Sequence, residues 1–345
     1  MKTILKQING RKLLALGSAV LLSAVVSCSD EPLESNPQGV DDIQTPQLTF
    51  AHQEGDLVIL NEDKSNGLEA SRSTRAGGPD RGRFNIDLNF VFPVTERQQA
   101  VFESAAARWE EIIIKDVSSV TGTIPSAFTG LPPIAQGTTD DIVIEVVLFP
   151  LDGPGGTLGQ AGPRFIRFAD DLPVSGVMLF DTADLELLER FDLFEDVIVH
   201  EMGHVLGVGT LWNFRRELLQ GPVENPYFAG RMANVHWNAE GGLDELPIEN
   251  MGGPGTALGH WRESILRNEL MTGFINLGEN PLSRITAGSM KDLGYGAAVR
   301  GEQYDLPKGA PGVDIDELAA MEGQGINIAA MEELLEPIGI FISQD

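Results

Sequence analysis

Residues 200–207 read His-Glu-Met-Gly-His-Val-Leu-Gly, and no other stretch restricts this chain as much. On a helix, positions i and i+4 share a face, so the imidazoles of His200 and His204 point at one spot and make half of a metal site. Glu201 stands beside that spot, placed to take a proton from a water there. The pattern has only three fixed positions, so its setting matters. Val197, Ile198, Val205 and Leu206 supply apolar positions for burial, and Asp192 with Glu195 three residues on reads as a capping box opening the helix. The plain alternative is a core helix whose histidines are merely hydrogen-bonded.

The rest of the chain has to bury such a helix. Its 345 residues, 42% of them hydrophobic, suffice for one large domain or two smaller ones. A formal charge of −27 repels phosphate, and no basic cluster lies outside the extreme N-terminus, which excludes nucleic acid as a partner. Calcium would suit so many carboxylates, yet no loop carries calcium-ligand spacing, so a solvated acidic surface is the reading.

The N-terminus begins with Lys2, Lys6, Arg11 and Lys12 and continues into an apolar stretch over residues 13–26. That stretch is short of the roughly 20 residues that span a bilayer, so residues 1–27 are expected to be a signal peptide. The chain's one cysteine, Cys28, follows Val25-Val26-Ser27, which resembles a bacterial lipobox. The resemblance implies a lipidated Cys28 and an exported protein anchored to a bacterial membrane, the outer membrane being the expected one. The acidic Asp30 and Glu31 are similar to surface-export signals of some lipoproteins. Ordinary cleavage after Ser27, leaving an idle thiol, is the alternative. No disulfide can form within the chain, so its core and its metal must hold the fold.

Residues 28–80 are polar, with short apolar pieces at 57–60, and read as a tether or short pro-region in which His52 is solvated. The catalytic domain is expected over residues 81–298. Alternation over residues 84–90 predicts a strand. Thr95 with Gln98 opens a long helix whose apolar stripe is Phe102, Ala106, Trp109 and Ile113. Residues 142–149, 164–168 and 176–180 read as strands, and the histidine helix follows. The expected fold class is α/β: a mixed twisted sheet with one long helix, the active helix and a smaller C-terminal subdomain. The glycine-rich residues 153–162 lack the lysine of a phosphate loop and read as a flexible loop; Asp181 and Asp184 fit turn or cap roles. Residues 299–345 form an acidic tail in which 315–335 reads as a small appended helix or docking segment without chemistry.

A catalytic zinc takes three protein ligands and keeps a position for water. His52, His236 and His260 remain as donors, and His236 and His260 each precede a tryptophan. In many metzincin peptidases Gly207 would turn the chain and a histidine would stand six places after His204, but position 210 is Thr210. The remaining sequence resembles the leishmanolysin family, metzincins with an insertion between the second and third histidines. The likeness runs from about residue 84 to 295. Its carriers are Gly259-His260-Trp261-Arg262-Glu263, then Asn268-Glu269-Leu270-Met271, with 55 residues between His204 and His260. It implies a metzincin-like fold, His260 as third ligand and Met271 as a packed floor beneath the ligands. Two departures stand out: there is no cysteine for a cysteine switch, and Gly273 stands where some metzincins place a tyrosine.

These residues predict a metalloendopeptidase. His200, His204 and His260 would hold one Zn²⁺, and Glu201 would act as general base on water attacking a peptide bond, without a covalent intermediate. No Gly-x-Ser-x-Gly elbow competes with this reading. The partner would be a protein or peptide substrate lying as an extended strand along a sheet edge, for which residues 176–180 are the expected edge. Two other readings stay open: an inactive surface adhesion lipoprotein on a protease fold, and a zinc hydrolase of a narrow cell-wall or glycoprotein substrate.

Overall fold

In the computed structural model, strands from both ends of the chain meet in one central sheet. The structure describes residues 48–53, 55–63, 83–214, 216–253, 256–306 and 331–343; the signal stretch, Cys28, Asp30 and Glu31 lie outside them. In chain order the elements begin with β1 (Val58–Asn61), β2 (Ile86–Phe90), α1 (Glu96–Ile112), β3 (Val120–Ile124), β4 (Ala135–Thr139) and β5 (Ile142–Phe149). Next come β6 (Gly159–Arg167), β7 (Pro173–Asp181), α2 (Thr182–Arg190) and α3 (Phe194–Val205). After the histidine helix α3 follow β8 (Leu219–Gln220), β9 (Tyr227–Phe228), α4 (Arg231–Ala239), β10 (Leu246–Pro247), α5 (Glu263–Leu266) and α6 (Arg284–Leu293). The last two strands are β11 (Glu332–Leu334) and β12 (Gly339–Ile342).

The main sheet runs β1-β12-β6-β7-β5-β2, and β11 also pairs with β6. β2, β5 and β7 are mutually parallel, β6 is antiparallel to β7, and β11, β12 and β1 follow the direction of β6. The sheet is therefore mixed, as the sequence predicts. β5 is buried along almost its whole length, which suits its unbroken apolar run in the middle of a covered sheet. Smaller sheets are β3 with β4, and β8, β9 and β10.

α1 opens with the predicted capping box: Gln98 donates its N–H to the Thr95 hydroxyl at 3.2 Å, and Thr95 donates its N–H to the Gln98 side chain at 3.0 Å. Phe102, Ala106 and Trp109 are buried along its inner face. α3 starts differently from expectation. Leu193 holds the cap position without a side-chain bond, and Asp192 takes a left-handed φ of 60°, so no capping box forms there. Glu195 and Asp196 in the first turn supply negative charge to the helix N-terminus instead, and Asp196 is held by Arg108 at 3.0 Å. α3 is buried all round, between α1 and the sheet: Trp109 donates its indole N–H to the Val199 carbonyl at 2.9 Å, and Gly176 of β7 leaves room for Val205.

Four expectations need correction. Residues 159–162, read as loop, open β6; a Gly-Gln-Ala-Gly run has no strand signature, and pairing with β7 overrides it. Residues 176–180 belong to β7, which lies between β5 and β6 and offers no edge. Residues 58–61, placed in the tether, are the outer strand β1 beside β12. In the tail, residues 332–334 form the strand β11 and not helix, and β12 lies inside the main sheet, so no separate tail exists there; residues 307–330 fall outside the described ones. α6 is capped by the Ser283 hydroxyl and closed by Gly294 at φ 110°. Asp181 accepts the backbone N–H groups of Leu151, Asp152, Gly153 and Ala183, and Asp184 that of Gly155, which are turn and loop roles. No helix among the described residues is long and apolar enough to cross a membrane.

Candidate metal centre

Two segments distant in sequence bring three imidazoles to a single point. His200 and His204 come from α3. His260 comes from the loop before α5, where Glu249 donates its N–H to the His260 carbonyl at 2.8 Å and Trp261 donates its N–H to Met271 at 2.9 Å. The three Nε2 atoms lie 3.0 Å from one another. All three side chains are buried. His236 sits on α4 and His52 near β1, neither within this group.

The opposite nitrogens decide what the cluster can do. Nδ1 of His200 lies 2.7 Å from the Leu270 carbonyl, Nδ1 of His204 2.8 Å from Val208 and Nδ1 of His260 2.9 Å from Thr256. A carbonyl only accepts, so each Nδ1 carries the proton and each Nε2 presents a lone pair inward. Three lone pairs at 3.0 Å repel, with no proton left to bridge them. A cation between them resolves this, and three converging neutral imidazoles are a donor set that zinc accepts. Burial disfavours the charged imidazole and lowers the His204 pKa to about 4; at His260 burial acts the same way, but the Glu332 carboxylate beside it outweighs it and raises the pKa.

The helix exit builds the second of these supports. Gly207 takes φ 111°, which a side chain would strain, and the turn returns the Val208 carbonyl to His204. Thr210, standing where another histidine was sought, donates its hydroxyl to the His204 carbonyl at 2.7 Å.

Met271 lies beneath the histidines. A Cβ on Gly203, between His200 and His204, would come within 2.9 Å of both Sδ and Cε of Met271 and 2.8 Å of Trp109. The turn carrying Met271 is fixed by Glu269, which sequence reasoning passed over. Its carboxylate accepts the Met271 N–H at 2.7 Å and the hydroxyls of Ser283 and Thr286 at 2.6 Å each, tying the turn to the start of α6.

Glu201 is fully buried, and neither carboxylate oxygen has a hydrogen-bond partner. Burial, then the nearby charge of Glu332, pushes its pKa well above the ordinary value. Gly159 at the start of β6 passes close by: a Cβ there would be 3.4 Å from Glu201 Oε1. Glu332 is the second residue missed. Its Oε1 lies 3.0 Å from His204 Nε2 and 3.3 Å from His260 Nε2, and its Oε2 3.6 Å from His200 Nε2. The four side chains together could hold a metal ion. A second group, Asp116, Asp140 and Asp141, also converges, although with no loop of calcium-ligand spacing.

Comparison with known proteins points the same way. The family model for leishmanolysin, a peptidase family, matches residues 113–301, more than half of the chain. Leishmanolysin of Leishmania donovani is 29% identical over 194 residues, which cover 52% of this chain and 32% of that protein. Metalloendoproteinase 2-MMP of Arabidopsis thaliana is 32% identical over 145 residues, covering 39% and 34%. A leishmanolysin-like peptidase of Drosophila melanogaster is 44% identical over 62 residues, covering 18% and 9%. The chain thus spans about a third or less of the length of these relatives. The matched stretch contains the three histidines, Glu201 and Met271, and it ends before Glu332.

Proposed function

Since this chain belongs to the leishmanolysin family of metallopeptidases, we propose that it is a zinc-dependent metalloendopeptidase of metzincin type. His200, His204 and His260 would hold the ion, and Glu201 would serve as general base. The observation that supports this most directly is the set of three Nε2 lone pairs at 3.0 Å, each fixed by an Nδ1 proton given to a backbone carbonyl. Zinc bound there would acidify a water and polarise the scissile carbonyl.

The chain's own groups do the remainder. Glu201, one residue from His200, faces the same space without a competing hydrogen bond, so its carboxylate is free to take the proton of the attacking water and pass it to the leaving amine. Burial, and then the charge of Glu332, raise its pKa, which makes the carboxylate a stronger proton acceptor. Met271 against Gly203 and the Glu269 network hold the floor of the site. Substrate would lie along β6, whose first residues run beside Glu201, and not along β7.

The test is digestion of a mixed peptide library by the zinc-loaded chain, run as wild type and in a Glu332→Gln background, with Glu201→Gln and a chelator as controls. We expect cuts that both controls abolish, with zinc still bound to Glu201→Gln. If every peptide survives the metal-loaded protein in both backgrounds, endopeptidase activity is lost and a binding role takes its place. We also propose export with a lipid on Cys28; Cys28→Ser should then move the protein from the membrane fraction to the soluble one, and an unchanged distribution would remove the anchor.

A further inference from the structure

Among the residues around the three imidazoles, Glu332 is the one that general-base hydrolysis does not use. We propose that Glu332 is a fourth donor to the metal, and that β11 is an internal occupant of the substrate edge, so that the chain in this arrangement is a latent peptidase. The inference rests on the metal reading above and adds to it the group that closes the site.

Glu332 has no role except toward a cation. Its side chain is completely buried, its oxygens face three Nε2 atoms at 3.0–3.6 Å, and neither oxygen has a hydrogen-bond donor. In the neutral rings those nitrogens carry no proton, because Nδ1 donates it to a backbone carbonyl in each. An anion facing three lone pairs in a buried site is repelled, unless a positive ion sits among all four. Three imidazoles and one carboxylate fill a tetrahedral ion, and a zinc without an open position cannot take up the water that hydrolysis requires.

The strand that delivers Glu332 lies where substrate would lie. Glu332, Glu333 and Leu334 pair in parallel with Gly159, Gln160 and Ala161, the part of β6 beside Glu201. Leu158 donates its N–H to Met331 at 3.0 Å, and Leu335 donates its own to Ala161 at 2.9 Å, so the ladder is satisfied at both ends. Glu333 accepts the side-chain amide of Gln160. What the strand presents at the metal is a side-chain carboxylate and not a peptide carbonyl, so Glu201 has no bond to hydrolyse there.

The seat is shaped for this segment. Gly162 has no room for a Cβ because the Leu335 carbonyl lies against it, and Gly259, next to His260, is covered in the same way by Leu334. Met331 and Leu335 are themselves buried. β12, four residues beyond Leu335, pairs with β1 and β6 independently of β11, so drawing residues 331–335 off β6 would open the site without dissolving the sheet.

The experiment uses the full chain loaded with cobalt(II), whose visible spectrum reports coordination, as wild type, Glu332→Gln, Glu332→Ala and a Glu333→Gln control. Acetohydroxamate serves as the metal-binding probe. We expect the wild type and Glu333→Gln to show one spectrum that the probe leaves unchanged. Both Glu332 variants should show a different spectrum that the probe shifts, with zinc bound about ten-fold or more weakly. Peptide cleavage in these variants should rise about ten-fold or more, as expected when the competent fraction was small. Should neither Glu332 variant fold, zinc K-edge absorption of the wild type decides: three imidazoles and one oxygen, unchanged by acetohydroxamate, support the inference. A wild-type site that takes the probe as readily as the variants overturns it while leaving the metal centre intact. Failure of every protein to take up metal overturns the metal reading and this inference together. Uncut peptides in all variants, with spectra that separate as stated, remove the peptidase activity alone.

Discussion

His260 is placed by a loop, and the side chains around that loop carry charge in a half-buried setting. Glu249 accepts the N–H groups of Asn250, Met251 and Glu263 at 2.9–3.0 Å. Glu263 is left with the weaker environment. Burial raises its pKa from an ordinary 4.5 to about 7; a hydrogen bond from Thr272 opposes the shift and the charge of Glu249 adds to it. The sign follows from proton counting. Below pH 4.5 folded and unfolded chains both hold the proton. Between 4.5 and 7 the unfolded chain loses it while the folded chain keeps it, so stability falls with rising pH, and above 7 the dependence ends. Glu263→Gln removes the proton and keeps the shape. Its stability relative to wild type should therefore climb from pH 4.5 to 7 and then level off, read from urea midpoints across that range. Parallel profiles for the two proteins would show that Glu263 titrates normally.

At the scale of elements, α3 sets helix propensity against packing. Gly203 sits in the last turn of the helix, where Ala would be favoured by at most about 0.8–1.0 kcal/mol, the figure for a helix interior. A Cβ there would meet Met271 at 2.9 Å and Trp109 at 2.8 Å, and both neighbours are fully buried. Overpacking of this kind costs about 1–3 kcal/mol, so the contact should win. We expect Gly203→Ala to be less stable and to bind zinc more weakly, because Met271 and the Glu269-held turn must move away from the histidines. A rise in thermal midpoint would mean that the methionine floor yields freely. The same helix shows what sequence can reveal: two histidines and a glutamate at helical spacing are a local signal, and Gly207 marks the exit. The capping box at Asp192 was a false local signal, since the chain enters α3 through a left-handed residue. Residues 159–162 were illegible for the opposite reason. Two glycines and an alanine give no strand pattern, yet the closeness of Gly159 to Glu201 and of Gly162 to the Leu335 carbonyl demands that those two be small. His260 and Met271 could be read only through family likeness. Glu332 carries no pattern at all, because a parallel pairing between residues 159 and 332 leaves no trace in local periodicity.

For the whole molecule, the metal centre is a junction. α3, the turn at Val208, the loop at Thr256 and His260, the turn at Leu270 and Met271, and β11 all end at the same point. With no disulfide to join these segments, the proposed ion would be their cross-link, and its loss would have two effects. The cation no longer selects the folded form, which by mass action removes about 4.1 kcal/mol when free ion had stood at 1,000 times the dissociation constant. The site also retains three inward lone pairs and the carboxylates of Glu201 and Glu332 without donors, so electrostatic repulsion adds to the loss. Removing the metal should therefore lower the thermal midpoint by several degrees. Opening should begin where segments depend on the ion and not on the core: amide exchange should rise first at residues 256–261 and 331–335, while β5 and β7 in the sheet interior keep their protection. Calorimetry and hydrogen exchange on the metal-stripped chain, with zinc restored in a parallel sample, check both points. A midpoint that does not move once elemental analysis shows the zinc gone would mean that Glu332 and the three imidazoles are held by packing alone.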